Sequence, residues 1–327
     1  MLKEALFYKN LDNNIVICEL CPHLCKILPD KSGICLIRKN INGTLYLSTY
    51  SEISSIGIDP IEKKPLYHYF PGTYILSIGT NGCNLKCPFC QNWQISTLET
   101  NRENITIVEL IKLAKQHNSI GIAYTYNEPL IWYEFILDAS IEAHKNGLKN
   151  VLVTNGNINK EPLLHLIPYI DAVNVDLKGF TEEFYKWVKG SLQCTLDFIE
   201  TVFKNNIHIE ITNLVIPDKN DDESIFTEMC KWISNLSQDI PLHLSRYFPN
   251  YKLNIPQTPV NKLISLHNIA KQYLKYVYLG NIAINGVSDT HCPICNCLLI
   301  NRQGYKTNVY INNNKCPSCG SFIYIYL

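Results

Sequence analysis

From Tyr74 onward, short β-branched runs alternate with longer stretches whose apolar residues recur at three- and four-residue steps. The short runs read as strands at Tyr74–Gly79, Ile120–Tyr126, Asn150–Thr154, Ala172–Leu177, His208–Ile216, Leu242–Tyr247 and Tyr276–Leu279. Helical spacing marks Ile107–His117, Pro129–Asn146 and Glu223–Leu236 between them. Strand-helix units repeated in this way build a parallel sheet. Six or seven units are too few to close an eightfold barrel, so the pattern predicts an α/β fold, a partial (β/α)6-7 TIM-like barrel with ligands at the carboxyl ends of its strands.

The periodicity breaks on both sides of that region. Before it lies a stretch punctuated by Pro and Gly up to Gly43, then a strand-like run rich in Thr, Tyr and Ile to Ile58. After Asn281 come two Cys-Pro-x-Cys knuckles around a short strand-rich segment. We therefore expect a Cys-rich N-terminal module over residues 1–60, the core over 61–285, and a zinc-ribbon or rubredoxin-like module over 286–327.

Composition narrows the function classes. Of the 327 residues, 46% are hydrophobic and 18% charged, the profile of an ordinary globular chain. Lys plus Arg and Asp plus Glu both number 29, so no overall basic field draws in nucleic acid. The opening segment mixes acid and base without a long apolar run, and no stretch approaches membrane-spanning length. These features point to a cytoplasmic protein with neither a membrane nor a nucleic-acid partner. The 14 cysteines would suit a secreted disulfide scaffold, but most fall into three tight clusters, which metal ligation explains better.

The central cluster, Cys83-x3-Cys87-x2-Cys90, directly follows the first core strand. Fe-S clusters normally take four thiolates, so three on a 4Fe-4S cube leave one iron open to a substrate or cofactor. The amino and carboxylate groups of S-adenosylmethionine can chelate that iron, and electron transfer to the sulfonium then gives a 5'-deoxyadenosyl radical able to abstract hydrogen. A zinc knuckle would want a nearby fourth ligand, and neither His nor Cys occurs from Gln91 to Thr106.

With these cysteines the chain resembles the radical SAM superfamily, in the branch of the pyruvate formate-lyase-activating enzymes. Within that branch it is most similar to the radical SAM member of the AmmeMemoRadiSam system. The similarity rests on Cys-Glu-Leu-Cys-Pro-His at 18–23, Asp59-Pro-Ile-Glu-Lys-Lys-Pro-Leu-Tyr67, the Cys-Gln-Asn-Trp ending at Trp93, and Tyr124-Thr-Tyr-Asn-Glu-Pro129.

The resemblance implies a set of cofactor contacts. Glu128 stands where the family's Gly-Gly-Glu string meets the methionine amino group, although Tyr126 and Asn127 replace the glycines and would crowd that backbone. Asn127-Glu128-Pro129 also reads as a helix cap. Thr154 and Asn155 resemble the family's ribose-contacting turn. Asp176-Leu177-Lys178 resembles the Asp-Leu-Lys whose lysine meets the methionine carboxylate. His243 matches a histidine that helps bind the same group, and Ile216 and Phe89 match positions beside the adenine, though Phe89 also suits core packing.

The flanking clusters carry their own signals. Cys292-x2-Cys295-x20-Cys316-x2-Cys319 has the spacing of a closed four-thiolate site for zinc or iron, with Cys297 as a free neighbour. Cys18, Cys21, Cys25 and Cys35 suit either zinc or an auxiliary Fe-S cluster. Cys194 and Cys230 fall on helical patterns and read as buried small hydrophobes.

Three functions remain open. The first is an activating-type enzyme drawing hydrogen from a protein or peptide, reduced by a flavodoxin- or ferredoxin-like donor. The second is radical modification of another substrate beside Amme- and Memo-type proteins, and the third is a noncatalytic metal-binding scaffold. Trp93, Tyr126 and the Asp59 to Lys64 stretch are candidates to line a substrate entrance.

Overall fold

The computed structural model describes residues 2–327. Its centre is an eight-stranded sheet in the spatial order 277–280, 242–246, 208–215, 172–176, 149–154, 121–124, 74–79 and 55–60. The seven strands from residue 74 onward run parallel, each pairing with its neighbour in sequence. The two end strands do not pair with each other, so the sheet stays open as the strand count predicts. Strand Ser55–Pro60 pairs antiparallel with Tyr74–Gly79, Ser55 opposite Gly79 and Pro60 opposite Tyr74. The strand-like run at the end of the N-terminal segment thus becomes the edge of the central sheet.

Local chemistry sets the helix starts. Thr106 and Glu109 form a reciprocal capping box ahead of Ile107–Gln116, and the Asp222 side chain caps Glu223–Leu236. The predicted helix Pro129–Asn146 opens instead as a 3-10 turn, Pro129–Trp132, before the α-helix Tyr133–Lys145. Pro129 has no N–H to give, and the Glu128 carboxylate accepts from Leu130 N at 3.0 Å, so the chain tightens before it can propagate.

Alternation along the strands separates two faces. Leu76, Ile78, Ile122, Leu152, Val173, Val175, Ile209 and Ile211 join the helices in one large apolar cluster. On the opposite face Ile75, Ala123, Val151 and Ala172 pack with Ile61, Leu66 and Tyr69. Farther across the sheet this face carries buried polar groups, Asn174, Glu210, Thr212 and His243. The N-terminal segment contributes two small antiparallel sheets, and its Val16, Leu20, Ile37 and Leu47 enter the large cluster. A fully buried ion pair, Arg38 Nη2 to Glu134 Oε1 at 2.7 Å, ties it to helix Tyr133–Lys145. The C-terminal strands Thr290–His291, Leu298–Gln303 and Lys306–Val309 form a separate small sheet around Leu299, Ile300, Ile311 and Ile323.

Candidate active site

The loop carrying Cys83, Cys87 and Cys90 leaves the carboxyl end of strand Tyr74–Gly79 and is braced from several sides. Gly82 has φ +91°, and a side chain there would place Cβ 2.2 Å from the carbonyl oxygen of Cys35, so only glycine fits. The Asn127 amide donates to the Gly82 carbonyl at 2.9 Å and accepts from Thr80 N at 3.2 Å. Asn84 donates to Asn157 O, and its own carbonyl accepts from His23 Nε2 at 2.7 Å. All three thiols are partly accessible. Burial pushes the Cys83 thiol well above its ordinary value and Cys87 up to about 11, since desolvation penalises the thiolate.

Glu128 gathers the next residues. Its buried carboxylate accepts from the Thr154 hydroxyl at 2.6 Å, Asn155 N at 2.8 Å and Leu130 N at 3.0 Å. Burial nevertheless raises it to about 7, against those bonds and the charge of Lys178. Asn155 Nδ2 points at Asn84 Oδ1 at 3.0 Å, and 3.9 Å separates it from Cys83 Sγ. Lys178 pairs with Asp176 at 3.1 Å. Burial works against its charge, but Asp176 and the Cys87 and Cys83 sulfurs outweigh that and raise it. Glu128, Thr154, Asn155, Asp176 and Lys178 thus surround the three-cysteine loop from strand ends that lie far apart in sequence. Helix capping and ligand binding are compatible here, since Glu128 does the first while keeping lone-pair capacity for a cation.

Phe89 and Ile216 lie in one buried cluster with Leu85, Phe184, Tyr185 and Tyr247, against which Cys83 and Cys87 pack. The Phe89 ring is 5.4 Å from that of Trp187, so it is core as well as a neighbour of the cysteines. His243 lies on the polar face in register with Thr212, which pairs with Asp176. Two strand spacings, about 10 Å, therefore separate it from Asp176. Its Nε2 bonds Glu210 Oε2 at 2.7 Å, and its ring meets those of Tyr67 and Tyr278.

Glu210 escaped the sequence reading. It accepts four N–H groups: His208 Nε2 at 3.0 Å, His243 Nε2 at 2.7 Å, and the backbone of Tyr67 at 3.0 Å and His68 at 2.7 Å. Burial would raise its pKa, but these bonds and the neighbouring imidazoles hold it below the usual glutamate range. The signal was available, since His208, Glu210 and Thr212 put a polar side chain at every second position, with Ile209 and Ile211 between them.

Tyr126 and Asn127, which replace the glycines, each put the added side chain into a defined contact. Tyr126 takes φ +72°, the left-handed backbone a glycine would favour, and turns its hydroxyl onto Asp59 Oδ2 at 2.7 Å. Lys64 Nζ reaches the same oxygen at 2.8 Å and sits 4.6 Å from the Tyr126 ring centroid. Asn127, as above, holds the cysteine loop in place. Trp93 stacks on Tyr251 with centroids 5.1 Å apart.

The flanking clusters differ in geometry. Cys292, Cys295, Cys316 and Cys319 bring their sulfurs within 4.8 Å of one another, with contacts of 3.6 Å for Cys292 to Cys319 and 3.5 Å for Cys295 to Cys316. Zn–S bonds of about 2.3 Å put tetrahedral sulfurs about 3.8 Å apart, so this quartet fits one ion. Among the described residues no other three ligand-type side chains gather so tightly. The core trio is not gathered in this way, and a cube presenting a separate iron to each thiolate asks for sulfurs set farther apart than around one ion. Cys297 bonds only the Leu298 carbonyl through sulfur, at 3.6 Å. Cys230 is buried as expected, but Cys194 is partly exposed, its thiol directed at Ile158 O at 3.1 Å.

Residues 77–229 match the family model described as the Radical SAM superfamily. The chain is 40% identical over 335 residues to an uncharacterized protein of Methanocaldococcus jannaschii, covering 100% of both. It is 26% identical over 151 residues to the pyruvate formate-lyase 1-activating enzyme of Escherichia coli, covering 43% of this chain and 61% of that one. The solved structure of Streptococcus suis SuiB bound to precursor peptide SuiA shares the fold, with a TM-score of 0.50, 14% identity, and coverage of 68% of this chain and 52% of that one. No helix among the described residues is long and apolar enough to cross a membrane.

Proposed function

The chain belongs to the radical SAM superfamily, and from that premise we propose that it is an activating-type enzyme that takes hydrogen from a protein or peptide substrate. The observation that carries this reading is the trio Cys83, Cys87 and Cys90, not gathered as around one ion and faced by both a carboxylate and an ammonium. In this family a 4Fe-4S cluster and S-adenosylmethionine together supply a 5'-deoxyadenosyl radical.

The protein's own groups bind and orient the cofactor. Glu128, about half ionised near neutrality, would be drawn to full charge by the methionine ammonium. Lys178 would meet the methionine carboxylate, a charge-assisted contact in a partly dry site. Thr154 and Asn155 hold the Glu128 carboxylate in one rotamer, and their place at the end of a core strand would set this turn beside the sugar. Asp176 keeps Lys178 directed at the site, and Phe89 and Ile216 form an apolar wall for the base. His243, which the resemblance sets beside the same carboxylate, is engaged by Glu210 and is left out of this assignment.

Reduced, reconstituted protein should release 5'-deoxyadenosine, and Cys83→Ala should abolish it. A wild-type protein with full iron content that yields none would defeat the reading. A second reading, radical modification of a different substrate beside Amme- and Memo-type proteins, is favoured by Tyr126 and Asn127 where activating enzymes carry glycines. Hydrogen exchange from a deuterated glycyl-radical enzyme into 5'-deoxyadenosine would decide for the first. A scaffold without catalysis would hold zinc at all three clusters, which metal and acid-labile sulfide analysis tests directly.

A further inference from the structure

The four N-terminal cysteines are neighbours, but their sulfurs are not gathered as those of the C-terminal quartet are. Cys18 lies near Cys25, Cys35 near Cys18, and Cys21 near the other three, closely enough for each thiol to perturb the next. Three of the four are buried, and Cys25 is partly exposed. Yet no three of the sulfurs come within 4.8 Å of one another, whereas the C-terminal quartet does so with four. The N-terminal quartet shares its open spread with the Cys83, Cys87 and Cys90 trio. Thiolates around one zinc share a single centre and must crowd together, while thiolates on a cube each take a different iron and stand apart.

A second observation is independent of sulfur spacing. Arg38 is 1% exposed, and its guanidinium lies beside Cys18 and Cys35. Its Nη atoms bond Glu134 and the Leu6 carbonyl, but Nε has no partner although it is buried. A buried N–H without an acceptor is costly, and a sulfide or thiolate in the space between the cysteines would accept it. Hydrogen bonds to sulfur and a nearby cation are among the means by which proteins hold an anionic Fe-S cluster.

We propose that Cys18, Cys21, Cys25 and Cys35 hold a fully thiolate-ligated auxiliary 4Fe-4S cluster. Its place in the fold suggests its use. Cys35 O lies against Gly82, the residue before Cys83, and His23, two positions beyond Cys21, bonds the carbonyl of Asn84, the residue after Cys83. The two clusters are joined through a direct backbone contact, with Cys25 at the partly exposed side. One electron from a reduced flavodoxin- or ferredoxin-type protein would reduce the auxiliary cluster and pass on to the central one, with no bond made or broken and no proton moved at the N-terminal site. The site stands independently of the reading given for the central loop; its role as a relay rests on that reading.

The decisive sample is the full chain with Cys83→Ala, Cys87→Ala and Cys90→Ala, reconstituted anaerobically with ferrous iron and sulfide. It should retain about four irons and about four sulfides per chain, with a reduced-state paramagnetic signal unaffected by S-adenosylmethionine. Adding Cys18→Ser and Cys21→Ser should remove sulfide and signal together. A triple variant with no acid-labile sulfide, whose N-terminal site takes up zinc, overturns the proposal. Because the triple variant leaves the N-terminal cysteines untouched, misfolding caused by their replacement cannot mimic that result. For the relay, Cys18→Ser/Cys21→Ser alone should slow reduction of the central cluster by reduced flavodoxin by more than an order of magnitude while leaving reduction by dithionite nearly unchanged. Equal slowing by both reductants would overturn the relay. Failure of the central reading has a separate signature, a wild-type spectrum with no component sensitive to S-adenosylmethionine.

Discussion

Four N–H groups converge on Glu210, and nothing in that arrangement welcomes a proton. Its pKa lies below the ordinary value of 4.5, so its share of stability is complete above that value and is lost as pH falls through and below it. The wild-type melting temperature should therefore decline between about pH 5 and pH 3, while Glu210→Gln should lie lower throughout and slope less in that window. Parallel curves would show that the carboxylate is not the titrating group. Glu210→Ala leaves four buried donors without an acceptor and should cost about 3–5 kcal/mol in denaturant unfolding. Tyr126 offers a milder case on the same polar face. Removing its hydroxyl in Tyr126→Phe forfeits a charge-assisted bond to Asp59 and should cost about 1.5–3 kcal/mol, whereas a change under a few tenths would mean that Lys63 and Lys64 satisfy Asp59 without it.

At the scale of elements, the strands and helices were legible because short β-branched runs of strand length alternate with stretches whose apolar residues recur at three- and four-residue steps, as in Ile107–Gln116 and Glu223–Leu236. What could not be read depends on contacts between distant positions. Arg38 meets Glu134, Asn127 holds the carbonyl of Gly82, and Ser55–Pro60 joins the central sheet although its sequence looks like the end of a preceding segment. The motif cysteines were visible from spacing alone and Asn155 from its resemblance to a ribose-contacting turn, but Asn84 and Asn157, which help tie the cysteine loop to the end of strand Lys149–Thr154, have no signature outside that contact. The loop's fit against the N-terminal segment turns on Gly82. Gly82→Ala combines a strained φ with a clash against Cys35 O, so it should lose cluster-bound iron and S-adenosylmethionine cleavage while circular dichroism retains the helical signal. Iron content equal to wild type would mean that the loop can shift at little cost. Thr106→Ala serves as a contrast: it should lower stability by about 1 kcal/mol through the lost cap and leave cleavage unchanged.

Across the whole molecule, the C-terminal module closes the amino-terminal end of the polar face, opposite the cysteine loop. Tyr326 exchanges backbone bonds with His68 and Phe70, and the Tyr324 carbonyl holds His68 Nδ1 at 2.8 Å. Arg302, 4% exposed, donates to the Tyr67 carbonyl at 2.7 Å and lies over the Tyr67 ring. Tyr67 and His68 are the residues whose N–H groups hold Glu210, so the C-terminal four-cysteine site is linked through the tail to the Glu210–His243 pair. Within that site the pKa of Cys292 and of Cys319 is lowered, in both by Ser321 and backbone donors that for Cys292 outweigh burial, while Cys295 and Cys316 are raised. Metal entry must displace the protons that remain on this quartet, so retention should strengthen as pH rises. Chelation should then do more than loosen residues 288–327. With the tail freed, amides of residues 66–70 should exchange hydrogen faster, and the change should be reproduced without chelator by Cys316→Ser. Faster exchange confined to the C-terminal segment, with residues 66–70 as protected as before, would show that the tail packs on the core without supporting it and that the polar face keeps its order unaided.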